Sequence, residues 1–305
     1  MKKKNLKMKV TIIGLGLIGG SMAKDLKRNG FATEIIGVDN NPIHTKTALE
    51  LGIADRISDL EPAVGEADLV ILAIPVDKII TLLPHVLDHI SLSTTVTDVG
   101  STKREIAAIV ENHQRRGNYV GTHPMAGTEN SGPQSALDRL FEGKLTIICD
   151  QGKSKPQHVA LIEKMYQSLG MSTAYMSSDE QDHTTAFVSH LPHATAFALA
   201  NAVLAKEDRN IIFDLASGGF NSTVRLAKSS PEMWAPIFWQ NRDYMIEALE
   251  VYIRHLKEFR ESLKHNDQEK MLNLIQNANK IRGVLEGENH SLTKNEEKII
   301  KLYTK

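Results

Sequence analysis

Six residues, Gly14-Leu15-Gly16-Leu17-Ile18-Gly19, directly follow the apolar run Val10 to Ile13 and open a helix-forming stretch. An acid, Asp39, ends the next apolar run ~20 residues after Gly19, the interval at which dinucleotide-binding units place a ribose ligand. At this spacing Gly14 permits a tight turn, Gly16 lets backbone approach a pyrophosphate, and Gly19 lets helix and strand pack closely. Leu17 and Ile18 begin the helix, whose free N–H groups meet phosphate charge. Asp39 can accept hydrogen bonds from the adenosine ribose and would repel a 2′-phosphate, so the pattern expects NAD in preference to NADP. Asn40 and Asn41 add no cation for such a phosphate. FAD would also suit Asp39, but its flavin half usually needs a longer chain. With neither cofactor, the glycines would specify only a strand-to-helix turn.

Four further groups carry residue types that do chemistry. Asp98-Val99-Gly100-Ser101-Thr102-Lys103 and Gly121-Thr122-His123-Pro124-Met125-Ala126-Gly127-Thr128-Glu129 each follow an apolar run, and so fall at strand ends where open α/β sheets bind ligands. Farther on, Val188-Ser189-His190-Leu191-Pro192-His193 puts two histidines on one helix face, and Gly218-Gly219-Phe220 leads to Arg225 and Met233-Trp234. A histidine with a reference pKa of ~6.5 can accept a proton at neutral pH. An arginine offers a planar fork for a carboxylate. Trp234 reads as a packing residue. His85 and His89 also share a helix face, but lack the glutamate of a zinc-hydrolase motif. They read as surface residues, and no metal site is expected.

The elements that must hold these groups follow from hydrophobic periodicity. Short apolar runs at Lys9–Gly14, Glu34–Asp39, Asp68–Pro75, Thr94–Val99, Tyr119–Thr122, Lys144–Asp150 and Ser172–Met176 alternate with helical stretches such as Ser21–Asn29, Thr102–Asn112 and Pro156–Leu169. This predicts an α/β fold with an N-terminal Rossmann-type, doubly wound, mostly parallel sheet. After Ser178 only helix-period stretches remain, at Asp179–Ala205, Met233–Lys264 and Asp267–Leu285, which predicts an all-α C-terminal domain. The boundary is placed near Ser177, with domains at 1–177 and 178–305. Glu286 to Lys305 reads as a surface helix or frayed tail.

Composition narrows the class. Of 305 residues, 41% are hydrophobic and 24% charged, and the formal net charge is −1, so nothing draws the chain toward nucleic acid or an anionic membrane. Cys149 is the only cysteine, which excludes an internal disulfide and fits a reducing compartment, with cytoplasm the default. The basic start could imitate a signal peptide, but its glycines fit the dinucleotide turn.

Taken in order, GLGLIGGS, TDVGSTK, the HPMAG segment, VSHLPH, and GGF followed by TVRLAKSSPEMW are similar to the prephenate/arogenate dehydrogenase family from about Val10 to Leu285. That resemblance implies an NAD-dependent oxidative decarboxylation of prephenate to 4-hydroxyphenylpyruvate in tyrosine biosynthesis, and a homodimer formed through the helical domain. It implies that His123 is the catalytic histidine, with Ser101 beside it hydrogen-bonding imidazole or substrate hydroxyl, and that Arg225 holds a substrate carboxylate. His190 and His193 match pocket-lining histidines, and Thr128 and Glu129 match a closing loop. Ser222 stands where some relatives carry an acid near the arginine, which leaves the orientation of Arg225 open. An ACT regulatory domain, present in longer relatives, is not expected in a chain ending at Lys305. Arogenate as substrate, with Glu129 pairing its amine, and a non-catalytic NAD-binding redox sensor are the alternatives.

Overall fold

Eight strands pair into one sheet in the computed structural model, which describes residues 8–206 and 218–285. They are β1 (Lys9–Ile13), β2 (Glu34–Val38), β3 (Arg56–Ile57), β4 (Leu69–Leu72), β5 (Thr95–Asp98), β6 (Tyr119–Pro124), β7 (Leu145–Cys149) and β8 (Ser172–Met176), in the order β3-β2-β1-β4-β5-β6-β7-β8. All neighbours are parallel except β6 and β7. The mostly parallel, doubly wound sheet is therefore as expected. The two-residue β3 is an addition, too short to show a periodic pattern.

Helices α1 (Leu17–Arg28), α2 (Pro42–Glu50), α3 (Leu60–Gly65), α4 (Val76–His89), α5 (Arg104–Ile109) and α6 (Pro156–Ser168) cover the sheet. Two separate apolar clusters result: Ile12, Met22, Leu26, Val120, Ile162 and Tyr166 belong to one, and Leu72, Ile79, Leu83, Val96 and Tyr119 to the other. Burial on both faces explains why β4 is apolar at every position. Strand order reverses between β1 and β4, and a crevice at the C-terminal ends of such strands is where open α/β sheets bind ligands. Alternation along β6 puts Val120 and Thr122 on one face, and Tyr119, Gly121 and His123 on the other.

Beyond β8 the chain is helical. Ser177 caps α7 (Ser178–Thr185) by accepting from the Glu180 amide, while Glu180 reaches back to the Ser177 amide. The single helix expected over Asp179–Ala205 is interrupted by a π-helical turn, Ala186–His190, before α8 (Leu191–Leu204). Pro192 accounts for the break: it lacks an N–H for the carbonyl four residues back, and its ring crowds that carbonyl. Then follow α9 (Gly218–Val224), a 3-10 turn at Arg225–Lys228, and α10 (Pro231–Gln240).

The stretch expected as continuous over Met233–Lys264 breaks at Asn241, beyond which lie α11 (Arg242–Lys264), α12 (Gln268–Asn279) and α13 (Ile281–Leu285). By packing, the chain divides into compact units at Met1–Arg242 and Asp243–Lys305. Ser177 marks the change from strands to helices; α7, α8 and α10 pack within the unit that holds the sheet. Among the described residues no helix is long and apolar enough to cross a membrane. Residues before Met8 and the polar stretch Glu286 to Lys305 lie outside the described residues.

Candidate active site

The glycine turn follows β1. Gly14 has φ +94°, and a Cβ there would stand 2.4 Å from the Ala73 carbonyl oxygen at the end of β4. Gly19 is closed by the turn itself, since its Cβ would lie 2.0 Å from the Gly14 oxygen. Gly16 differs. A Cβ there meets nothing within 4 Å, and Gly16 caps α1 without any side-chain hydrogen bond. The first-turn N–H groups at Leu17, Ile18 and Gly19 therefore face an open cradle, as an anionic diphosphate requires. Asp39 Oδ2 accepts from the Leu15 amide (2.9 Å) and Oδ1 from the Asn41 amide (2.9 Å), so the acid beside the turn also braces it. These residues fit a dinucleotide. A Gly16→Ala protein should keep its thermal midpoint yet bind the dinucleotide at least ten-fold more weakly, checked by thermal unfolding and titration.

At the end of β5, Asp98 is buried with Lys103, and the two form an ion pair. Asp98 also accepts from the Gly100 amide (2.8 Å) and the Tyr119 hydroxyl (2.5 Å), while Lys103 donates to the Thr102 carbonyl (3.0 Å). Its partners are thus numerous enough to hold charge away from water.

Next to it, His123 near the end of β6 is 7% exposed. Burial first, then the charges of Lys103 and His190, lower its pKa to about 3, so its imidazole is neutral. Its Nδ1 lies 2.8 Å from Nε2 of Gln181 on α7, and that same Nε2 lies 3.2 Å from the Ser101 carbonyl oxygen. Ser101 thus reaches the imidazole through its backbone and Gln181. Helix α7 is fixed in place by Asp182, whose oxygens accept from the Lys103 (2.7 Å) and Arg104 (2.9 Å) amides. Burial raises Asp182 to about 6 against the pull of those two amides.

A second group gathers at the π turn. His190 is fully buried, its Nδ1 3.0 Å from Nδ2 of Asn241, which also donates to the Asp182 carbonyl (2.8 Å). Burial lowers its pKa to about 4. His193 donates from Nδ1 to the Ser189 carbonyl (2.9 Å), leaving Nε2 as an acceptor, and stacks on Trp234 at 3.5 Å between ring centroids. Burial and then the Arg225 charge push His193 down, with the Ser189 bond opposing them. His190 meets the Trp234 edge at 5.9 Å. Trp234 packs in the α4 cluster, and its indole N–H is buried. Buried His190 Nε2, Trp234 Nε1, Gln181 Oε1 and Asn241 Oδ1 have no hydrogen-bond partner. Such groups are costly unless a polar ligand satisfies them.

Arg225, 54% exposed at its side chain, donates to Glu129 Oε2 at 3.3 Å. The acid missing at Ser222 is thus supplied by the loop after β6, while Ser222 bonds the Gly219 carbonyl (2.9 Å). Thr128 lies in that loop and accepts from the Asn130 amide (3.3 Å). His85 and His89 sit on the surface, their Nε2 atoms 3.3 and 3.8 Å from Glu61 Oε1, toward the C-terminal end of α4 and so at the opposite edge of the sheet from the glycine turn.

His123, Ser101, His190, His193 and Arg225 stand in recognisable motifs of the sequence, whereas Gln181 and Asn241 belong to none. Only position could have drawn attention to Gln181, one turn into a helix announced by its capping box. Asp98 and Lys103 stand in the TDVGSTK motif, but their pairing is visible only in the structure.

Two family descriptions match the chain: "Prephenate dehydrogenase, nucleotide-binding domain" over residues 22–175 and "Prephenate dehydrogenase, dimerization domain" over residues 177–277. A prephenate dehydrogenase of Bacillus subtilis is 33% identical over 281 residues, covering 90% of this chain and 76% of its own. The structure of prephenate dehydrogenase from A. aeolicus, in complex with hydroxyphenyl propionate and NAD+, superposes with TM-score 0.85 at 33% identity, covering 93% of this chain and all of that one. Arogenate dehydrogenase of Synechocystis superposes with TM-score 0.74 at 28% identity, over 91% of this chain and 100% of its own. With both halves matched and the glycine cradle and buried histidines in order along one fold, the chain belongs to the prephenate dehydrogenase family.

Proposed function

We propose that the chain catalyses the NAD-dependent oxidative decarboxylation of prephenate to 4-hydroxyphenylpyruvate, a step of tyrosine biosynthesis, in the cytosol. The observation that carries this reading is the buried, neutral His123 beside a set of unpartnered donors, His190 Nε2 and Trp234 Nε1, with Arg225 close enough to depress His193. That combination suits a dianion carrying a hydroxyl that must lose its proton.

NAD, when bound at the glycine turn, supplies the acceptor for the hydride leaving C4. His123 takes the 4-hydroxyl proton through the nitrogen not held by Gln181, Nε2. The C4 carbonyl so formed draws in the electrons of the ring carboxylate bond, carbon dioxide leaves, and the phenolic oxygen takes a proton back. Aromatisation drives the step, so the residues mainly hold and orient. Arg225 and the two donors hold carboxylate oxygens, and Asp39 repels a 2′-phosphate at the cofactor's ribose.

Arogenate would need an acid for its amine. Glu129, the nearest candidate read from sequence, is taken by Arg225, which favours the keto acid. Measuring NADH formation with prephenate and with arogenate, each with NAD and NADP, tests reaction, substrate and cofactor together. Failure to turn over either substrate would leave the non-catalytic reading.

Arg225→Met should raise KM for prephenate by about ten-fold, the low end for a charge-assisted contact because the side chain is half exposed, with KM for NAD unchanged. A similar rise in both constants would remove Arg225 from the substrate site.

A homodimer belongs to the same proposal. Ile246, Ile253, Leu256, Phe259 and Leu263 lie exposed along α11, at spacings that form a stripe down one helix. A second copy of the chain would cover them, and sedimentation at micromolar concentration checks it.

A further inference from the structure

A general base needs a lone pair on the nitrogen that faces its substrate, and in the free protein His123 does not offer one at Nε2. The Ser101 carbonyl can only accept, so the Gln181 amide must turn its NH2 group toward that oxygen at 3.2 Å. The same NH2 stands 2.8 Å from His123 Nδ1 and donates to it. A neutral imidazole that accepts at Nδ1 carries its proton at Nε2. Asn241 holds His190 in the same manner, Nδ2 fixed by the Asp182 carbonyl and donating to Nδ1. For His190 the outcome is useful, since an Nε2–H can bind a carboxylate. For His123 it is the wrong tautomer for taking a proton.

Gln181 Oε1 is buried and without a partner. Half a turn of the amide would bring this oxygen onto Nδ1; the imidazole would then give its Nε2 proton to solvent water and take one from water at Nδ1, so that no proton is gained or lost overall, Oε1 accepts from Nδ1–H, and Nε2 is left bare. We propose that Gln181 is the positioning residue that selects the tautomer of His123, its amide holding the Nε2–H form in the free protein and reversing to Oε1···H–Nδ1 for proton abstraction. The reversal separates the Ser101 carbonyl from its donor, so the resting orientation is favoured until a substrate hydroxyl donating to Nε2 supplies the difference. Helix α7 keeps the amide in reach throughout: its start is boxed by Ser177 and Glu180, and Asp182 is anchored on two backbone amides. The charged or titratable groups whose fields reach the imidazole are Lys103 and, on the π turn, His190; Asp98 is paired with Lys103, and Asp182 follows Gln181 on α7 with its oxygens on the Lys103 and Arg104 amides. None of them is bonded to Nδ1, so selection of the tautomer falls to Gln181.

The proposal rests on His123 as the proton acceptor, and its test separates the two. The full chain labelled with 15N in its histidine rings, with His123→Asn used to identify the His123 signals, should show Nε2 protonated and Nδ1 bare in the free protein. Addition of NAD and hydroxyphenyl propionate, a phenol in place of the reacting alcohol, should move the proton to Nδ1. This readout needs no turnover, so a failed prephenate assay leaves it intact. A free protein with its proton already at Nδ1, or a ring unchanged by the two ligands, overturns the proposal.

Kinetics supply the second arm. Gln181→Glu presents a carboxylate that accepts from Nδ1–H in every state, so the acid limb of kcat/KM should move up by at least one pH unit while the rate on the plateau is kept within about three-fold. Gln181→Met, similar in shape and unable to hydrogen-bond, should lower kcat at least ten-fold with KM for prephenate within two-fold. A structural role alone would not move the pH profile. Unchanged profiles in Gln181→Glu together with wild-type kcat in Gln181→Met would refute the assignment.

Discussion

A His123→Asn protein should bind NAD as tightly as the parent and turn prephenate over about 10²–10⁴-fold more slowly, the range for loss of a positioned general base. Asparagine retains a polar side chain of similar reach but has no lone pair of comparable basicity, so the loss should fall on kcat. Cofactor titration and steady-state kinetics on one preparation decide it, and a rate within three-fold of wild type would exclude His123 from the proton step. Because burial and Lys103 hold the imidazole neutral down to about pH 3, kcat/KM of the wild type should show no histidine-like fall near pH 6.5. The same shift has a cost for the fold. An unfolded histidine takes up a proton near pH 6.5, whereas His123 and His190 wait until about pH 3 and 4. Over that window the unfolded chain binds more protons, so stability falls as pH falls from about 6.5 toward those values.

Lys103→Met should lower stability by about 3–5 kcal/mol, because Asp98 would be left charged and buried without its cation. The Tyr119 hydroxyl and Gly100 amide would remain as its partners, and they do not neutralise it. The double change Lys103→Met with Asp98→Asn should be less damaging than Lys103→Met alone, since no buried charge is then stranded. Urea unfolding of the single and double variants measures both statements. A loss under about 1 kcal/mol for Lys103→Met would mean that the buried ion pair does not support the fold. The lysine is therefore a structural cation whose field also keeps His123 deprotonated.

How far the sequence alone could lead depends on whether a residue's role is local. The glycine turn was legible because each glycine answers a constraint within one strand, one turn and one helix, and Asp39 closes the same unit. The strands were legible from apolar runs buried on both faces. Breaks at Ala186–His190 and Asn241 were less so, because apolar periodicity continues through a π turn or a sharp bend. His123 and Arg225 could be named from motif resemblance, yet their partners could not. Gln181 reaches His123 across 58 positions, and Glu129 reaches Arg225 across 96. Such pairings are decided by how α7 docks on β6 and where the loop after β6 lies, and no local pattern records them.

The double duty of Asp39 limits how the cofactor preference can be redesigned. Its Oδ2 is the acceptor for the Leu15 amide within the glycine turn. Exchanging it for an apolar or basic residue to admit a phosphorylated ribose would strip that amide of its partner and loosen the cradle at the moment the charge barrier is lifted. A successful NADP-using variant of this protein would need a replacement oxygen for Leu15 as well as a cation for the phosphate.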